Sequence, residues 1–203
     1  MSLAELKNRL MAIPWVYDKV RPLVIGTDYY KTVARFCRVK KTDRVFDLGC
    51  GTGRLLEFIQ CESYLGADLD LSALKRARKK FSANHIRFLQ GEDWDDPLCE
   101  FDPTIVLMLG LVHHISDEEF QATIERIRSV VKAPRIITLD TTIFPGKPVS
   151  NLLSRMDRGS YVRRQPAYEA LFQKCNLGII VKEEVFTRPP YVGYIGYHLE
   201  LSS

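Results

Sequence analysis

The sequence predicts an α/β fold with an open, mostly parallel sheet and helices on both faces. Strand-like and helix-like segments alternate five times between residues 44 and 140. A turn with glycines at positions 49, 51 and 53 follows the first strand, as at the opening of a nucleotide-binding βαβ unit. Two strand-like segments flanking Pro189 and Pro190 predict a closing hairpin, which gives the sheet an antiparallel edge.

Length and composition favour a single domain. The 203 residues suffice for one α/β domain, and the net charge of +4 is too mild to indicate nucleic-acid binding. We see no apolar run of about 20 residues that would span a bilayer and no signal-peptide core. The five cysteines are scattered without a CxxC pair, so we expect reduced thiols, no metal site and a cytoplasmic protein.

Residues 1–40 are expected to be helical. An amphipathic segment ends near Pro14, a second short element ends at Gly26, and Thr27 or Asp28 can cap a third helix. One interpretation is a helical layer packed on the sheet. The other is a partial lid that brings Tyr17, Tyr29 and Tyr30 towards a ligand.

The elements after residue 40 follow from hydrophobic spacing and capping residues. The near-continuous apolar run of residues 101–110 is typical of a strand buried on both faces. The sequence SDEE at residues 116–119 predicts a capping box that opens a helix. Further strands are expected at 44–47, 63–70, 85–91 and 135–140, and further helices from Arg54, at 71–81, 151–159 and 165–176.

Four polar or glycine-rich features fall where successive strands end, which is where open α/β sheets bind ligands. They are Asp47 with the glycine turn, Asp68, Glu92 with Asp93, and residues 109–114. A carboxylate at the end of the second strand can accept hydrogen bonds from ribose hydroxyls, which favours Asp68 over its neighbour Asp70. The alternative is that Asp68 merely caps the next helix.

The motifs VFDLGCGTG, YLGADLD, FLQGEDW and FDPTIVLMLGLVHHI together resemble those of class I S-adenosylmethionine-dependent methyltransferases. The resemblance covers roughly residues 40–142. Arg54 stands where a dinucleotide GxGxxG motif would place its third glycine. The resemblance implies a Rossmann-like, doubly wound sheet of seven strands with an antiparallel seventh strand. The chain departs from the family at Glu92, where Asp is usual, and at residues 132–134, where a Gly-Gly turn is usual.

The resemblance also implies S-adenosylmethionine as the cofactor. The residues that it places around the cofactor are Asp47, Gly49, Cys50, Gly51, Gly53, Asp68, Leu69, Glu92, Asp93, Trp94, Leu109 and Gly110. Within this set the glycine turn would pass under the methionine part, Asp68 would hold the ribose, and Trp94 would cover the adenine. The chain then divides into residues 1–40 as helical layer or lid, 41–142 as cofactor-binding core, 143–175 as helical insertion and 176–203 as closing hairpin.

His113 and His114 are the candidate catalytic residues. They directly follow the fourth strand, and a neutral imidazole can remove a proton from a hydroxyl acceptor near neutral pH. The alternative is that the pair only packs and hydrogen-bonds within the turn. Methyl transfer is an in-line displacement on an already activated cofactor, so positioning supplies most of the catalysis.

The acceptor is expected to bind where the strand–helix alternation ends, after Asp140. Arginines in this stretch suit a carboxylate or phosphate, so the acceptor is expected to be a small anion, although a solvated basic surface is equally compatible. The residues assigned to the acceptor are Tyr17, Tyr30, Asp140, Arg158, Tyr161 and Arg163.

The predicted function is therefore methylation of a small molecule, with no nucleic-acid partner and no membrane insertion. The alternatives are an NAD(P)-binding oxidoreductase of the same fold and a cofactor-binding module without turnover. A nucleic-acid methyltransferase is disfavoured because the segment LGLVHH lacks the Asn/Asp-Pro-Pro-aromatic motif of enzymes that methylate DNA amino groups.

Overall fold

The protein is built on one seven-stranded sheet, seen in a computed structural model that describes residues 28–132, 134–156, 159–187 and 192–202. The strands are β1 (Arg44–Leu48), β2 (Ser63–Asp68), β3 (Ile86–Gln90), β4 (Ile105–Leu109), β5 (Arg135–Thr141), β6 (Leu177–Phe186) and β7 (Gly193–Leu201). The helices are α1 (Tyr29–Cys37), α2 (Leu71–Lys80), α3 (Asp95–Phe101), α4 (Asp117–Val130), α5 (Pro148–Met156) and α6 (Gln165–Lys174). The predicted elements before residue 28, together with Tyr17, Arg158 and the Pro-Pro turn, lie outside the described residues.

The strand order is β3-β2-β1-β4-β5-β7-β6. Strands β1 to β5 pair in parallel, and β7 runs antiparallel between β5 and β6. This order confirms the predicted Rossmann-like, mostly parallel seven-stranded sheet with an antiparallel C-terminal hairpin. It also brings the carboxyl ends of β1, β2, β4 and β5 to one edge, so the candidate ligand residues share one side of the molecule.

The two faces of the sheet are covered by separate apolar layers. One layer packs α3, α4 and α6 against residues such as Phe46, Val106 and Met108. The other packs α1 and α5 against residues such as Val45 and Leu107. The four residues Ile105–Met108 of β4 are fully buried, as the apolar run predicted, because both layers cover this central strand. Consecutive strand residues therefore point into opposite layers.

The helix predicted from Arg54 is wrong, because the structure has only a 3-10 turn over Arg54–Glu57. Phe58 already leaves helical geometry, with φ of −125°, and the next strand begins at Ser63. A helix advances about 1.5 Å per residue and extended chain about 3.3 Å. The few residues left must return the chain to the start of β2, which requires extended backbone.

Smaller differences concern α1 and α3. The buried face of α1 consists of Tyr29, Val33, Phe36 and Cys37, and Tyr30 lies beside this face. Helix α3 was not predicted, because its seven residues include a proline and are too short for a periodic signal. The capping box of α4 is confirmed, since Ser116 Oγ accepts from Glu119 N at 3.1 Å and Glu119 Oε2 accepts from Ser116 N at 2.6 Å.

In the described residues no helix is long and apolar enough to cross a membrane. All five cysteines are free thiols.

Candidate functional site

The glycine turn is held against the end of β2 by hydrogen bonds from its backbone. The N–H groups of Gly49 and Cys50 donate to Ala67 O at 2.8 and 3.1 Å. The N–H of Gly51 donates to Asp68 Oδ2 at 2.7 Å. Gly49 and Gly51 adopt φ of 81° and 55°, the left-handed region that favours glycine. A Cβ added at Gly51 would meet nothing within 4 Å, so open space lies beside the turn.

Asp68 and Asp70, the two candidates for the ribose, have different tasks. Asp70 Oδ1 caps α2 by accepting from Ser72 N at 2.8 Å and Ala73 N at 3.1 Å. The hydrogen bond with Ser72 is the largest cause that lowers the pKa of Asp70. Asp68 instead joins the glycine turn to the end of β2, because its other oxygen accepts from Asp70 N at 2.8 Å. The capping role considered for Asp68 therefore belongs to Asp70.

Asp47 lies beneath the turn and is buried. Burial raises its pKa to about 6, although the hydrogen bond from Tyr64 counteracts part of this effect. That bond joins Tyr64 Oη to Asp47 Oδ2 at 2.6 Å. Tyr64 was not among the predicted site residues, because the sequence shows it only as one apolar position of β2. The hydrogen-bonded pair of Tyr64 and Asp47 thus supports the glycine turn from within the core.

On the expected adenine side, three of four residues are at the surface and one is not. Leu69 is 69 % exposed, and Glu92 and Asp93 are exposed. Trp94 is only 2 % exposed, because its ring packs on Phe46 at 5.5 Å and under the Arg126 guanidinium at 4.0 Å. The structure thus places Trp94 in the core, and the expectation that it covers the adenine is not supported.

His113 and Asp140 form a buried pair that joins the ends of β4 and β5. Asp140 Oδ1 lies 2.8 Å from His113 Nδ1 and also accepts from His113 N at 3.1 Å. Because a carboxylate only accepts, Nδ1 carries a proton, and the neutral imidazole then has its lone pair on Nε2. A Cβ at Gly110 would lie 3.8 Å from His113 Cε1, and one at Gly159 would overlap Cδ2. Nε2, between these two carbons, is therefore directed away from Asp140.

His114 differs from His113 in its surroundings. Its side chain is exposed, and its ring lies 4.2 Å from the His113 ring between centroids. The buried carboxylate of Asp140 pairs with His113.

Residues 159–163, which we call the strap, cover the His113 turn. Gly159 is packed so closely that a Cβ there would lie 2.6 Å from His113 O. The N–H of Tyr161 donates to His113 O at 3.0 Å, while the Tyr161 side chain is 43 % exposed. Gly159 was not predicted, because nothing in its local sequence reveals this contact with a residue far away in the chain.

Arg163 fastens the strap. Its Nη1 donates to Val112 O at 2.7 Å and Tyr161 O at 3.1 Å, and its Nη2 donates to Ile115 O at 2.9 Å. Its Nε and Nη2 donate to Asp117 Oδ1 at 2.9 and 2.6 Å. A guanidinium has five N–H groups. All are used, so Arg163 is not available to an acceptor in this arrangement, which corrects the expected role.

Tyr30 and Leu109 complete the predicted set. The Tyr30 ring stacks on Phe58 at 6.1 Å and lies 5.0 Å from Arg54 Cζ, so it borders the residues that follow the glycine turn. Leu109 ends β4, and the next residue, Gly110, donates from its backbone N to Leu139 O at 2.7 Å. Tyr168, outside the predicted set, donates from Oη to Thr141 O at 3.0 Å and thereby fixes the end of β5.

The sheet order and the glycine turn at its edge define an α/β domain of the nucleotide-binding type. Within it, residues 45–133 match the family model of the methyltransferase domain. This match agrees with the predicted resemblance to methyltransferases over these residues. No curated protein sequence matches the chain.

Solved structures share the fold at low sequence identity. The protein bound by the Trm112 methyltransferase activator in Haloferax volcanii is 16 % identical, with a TM-score of 0.68 over 92 % of this chain and 96 % of that one. CalO1, a calicheamicin biosynthesis methyltransferase with bound S-adenosylhomocysteine, is 16 % identical, with a TM-score of 0.70 over 100 % of this chain and 61 % of that one.

A third neighbour is RosA from Streptomyces davawensis, a riboflavin-derivative dimethyltransferase. It is 16 % identical, with a TM-score of 0.65 over 95 % of this chain and 61 % of that one. The chain thus spans about three fifths of CalO1 and RosA. The S-adenosylhomocysteine bound in CalO1 agrees with the predicted cofactor, S-adenosylmethionine.

Proposed function

We propose that this chain is a methyltransferase that uses S-adenosylmethionine to methylate a small molecule. The observation that carries the proposal is the bond from Gly51 N to Asp68 Oδ2 at 2.7 Å, with open space beside Gly51. It brings an acidic group and a close-approach backbone together at the carboxyl ends of β1 and β2. Both are needed to hold a nucleoside with a charged tail.

The residues present fit such a cofactor. The backbone of residues 49–53 would hold the methionine part, and Asp68 would hold the ribose. Exposed Leu69, with Glu92 and Asp93, would border the adenine. Bound there, the sulfonium supplies an activated methyl group for in-line displacement. We propose that the whole of residues 1–203 serves this one activity.

The chain's own contribution to the chemistry is the His113–Asp140 pair. Asp140 holds the imidazole by Nδ1, 2.8 Å away, so Nε2 is the nitrogen that can take a proton from a hydroxyl acceptor. Gly110, the residue after β4, lies next to the His113 ring and beside the proposed cofactor site, which supports a role for His113 between cofactor and acceptor. Asp140 acts as a positioning residue for His113.

The contacts of Arg163 bear on the expected charge of the acceptor. An anionic acceptor was expected from Arg158 and Arg163, but the guanidinium of Arg163 is committed to the strap and to Asp117. Arg163 is therefore no longer an argument for a negatively charged acceptor. We retain a small-molecule acceptor, since the net charge of +4 does not favour nucleic acid.

Thermal unfolding with added ligand tests the cofactor. We expect S-adenosylhomocysteine at 100 times its Kd to stabilise the protein by about 2.7 kcal/mol, and NAD at equal concentration to leave it unchanged. A response to NAD without a response to S-adenosylhomocysteine would replace the proposal by an oxidoreductase.

The pH dependence of turnover tests His113. With a hydroxyl acceptor, we expect His113→Ala to lower kcat by about 100-fold and to abolish the acidic limb of the pH profile. His114→Ala is the matched control and should retain the wild-type kcat and the acidic limb of the pH profile. Equal activity of the two variants would remove His113 from the mechanism while leaving cofactor binding intact.

A further inference from the structure

Arg126 of α4 holds the loop between β3 and α3, residues 91–94, from outside the loop. Its Nη2 donates to Glu92 O at 2.6 Å. Its Nε donates to Asp95 Oδ1 at 3.2 Å, and Nη2 lies 3.0 Å from the same oxygen. The guanidinium also lies over the Trp94 ring, with 4.0 Å between Cζ and the ring centroid. One side chain therefore fastens the loop and the first residue of α3 together.

The loop is anchored on its core side and open on the other. Trp94 is 2 % exposed, packs on Phe46 and donates from its N–H to Glu92 O at 2.9 Å. The carbonyl of Glu92 thus accepts from both Trp94 and Arg126. The side chains of Glu92 and Asp93 are exposed instead. The contacts of Arg126 therefore fix the backbone from which these two carboxylates extend.

Hydrogen bonds connect the same loop to the glycine turn. The N–H of Gly91 donates to Asp68 O at 3.0 Å, and Asp68 Oδ2 accepts from Gly51 N at 2.7 Å. Gly91 has a φ of 85°, in the left-handed region that favours glycine, where the chain leaves β3. A shift of the loop would therefore change where Glu92 and Asp93 lie relative to Asp68.

The chemistry of the loop suits an amino group on the base. Ionised carboxylates and backbone carbonyls only accept hydrogen bonds, and the amino group of adenine is a donor. Such a bond needs a heavy-atom distance of about 2.7–3.2 Å. Recognition of the amino group by Glu92 or Asp93 therefore depends on a loop that is held in place.

We propose that Arg126 is a positioning residue that gives the site its preference for an amino-bearing purine. This inference rests on the proposed cofactor site and adds the cause of its base specificity. Arg126 acts through the loop, because its guanidinium is bound to Glu92 O and Asp95 Oδ1. Its side chain is 36 % exposed, so replacement by alanine should leave the core intact.

Titration calorimetry with two ligands tests this role. One is S-adenosylhomocysteine, and the other is its deamino analogue, in which hydrogen replaces the amino group of adenine. The wild type should bind S-adenosylhomocysteine about fivefold more tightly than the analogue, the effect of one hydrogen bond. Arg126→Ala should bind S-adenosylhomocysteine about fivefold more weakly than the wild type does, and should bind the analogue with the wild-type affinity.

Arg128→Ala is the control on the same helix. Arg128 Nη2 donates to Cys175 O at 2.9 Å and to Asn176 O at 3.3 Å, so this variant also deprives backbone carbonyls of a donor, away from the loop. Both variants should lower the Tm to a similar extent, whereas Arg128→Ala should keep the wild-type preference. A preference retained in Arg126→Ala, equal weakening of both ligands there, or a preference lost in Arg128→Ala would overturn the inference.

The wild-type titrations separate this inference from the cofactor proposal. If the wild type binds S-adenosylhomocysteine without preferring it to the analogue, the role of Arg126 is overturned and the cofactor proposal stands. If the wild type does not bind S-adenosylhomocysteine, both are overturned.

Discussion

The two ends of the site are built in opposite ways. At the ends of β1 and β2, backbone N–H groups donate to the carboxylates of Asp68 and Asp70 within a short stretch of chain. The bond from Gly51 N to Asp68 Oδ2, at 2.7 Å, is one example. At the ends of β4 and β5, side chains from distant segments meet, and buried oxygens such as Asp140 Oδ2 have no partner in the described residues. The first end is therefore held by hydrogen bonds within a short stretch of chain, whereas the second depends on contacts between distant segments.

The largest expected effect comes from breaking the strap. Arg163→Ala should lower the free energy of unfolding by about 3 kcal/mol, because the carbonyls of Val112 and Ile115 lose their donor and Asp117 loses its partner. Urea denaturation measures this loss. Arg164→Ala removes an exposed neighbour of equal charge and should change stability by less than about 0.5 kcal/mol. Equal effects of the two variants would show that the strap does not stabilise the turn.

The buried carboxylate beneath the glycine turn gives a pH-dependent effect. Burial raises the pKa of Asp47 from 3.8 to about 6, so the folded state holds this proton more tightly than the unfolded state. The free energy of unfolding of the wild type relative to Asp47→Asn should therefore fall by about 2 kcal/mol as the pH rises from about 4 to 7, and should stay level above about pH 7. Urea denaturation of both proteins at several pH values measures the difference. A difference that is constant or rises with pH would contradict the buried-acid account.

The smallest effect separates the two aspartates that follow β2. Asp70→Ala removes the cap of α2 and should cost about 1 kcal/mol of stability without changing the affinity for S-adenosylhomocysteine. Thermal unfolding and calorimetry on the same sample provide the two values. Lost ligand affinity with unchanged stability would exchange the roles of Asp70 and Asp68.

The comparison also explains which features the sequence could reveal. The glycine turn, Asp68 and the capping box at Ser116 were predictable because their partners lie within short, patterned segments. The commitment of Arg163 to Val112 and the contact of Gly159 with His113 were not, since they join residues about 50 positions apart. The predicted role of Trp94 at the adenine differs from its buried position, because the sequence near an expected adenine site is equally compatible with a tryptophan in the core.

Calorimetric titration of S-adenosylhomocysteine into the wild-type protein and Asp68→Ala tests the central claim most directly. The claim is that the glycine turn and Asp68 hold the cofactor. We expect saturable binding to the wild type and a loss of about 1–3 kcal/mol in Asp68→Ala, the usual cost of stranding buried hydrogen-bonding groups. No binding to the wild type, or equal affinity in Asp68→Ala, would contradict the account.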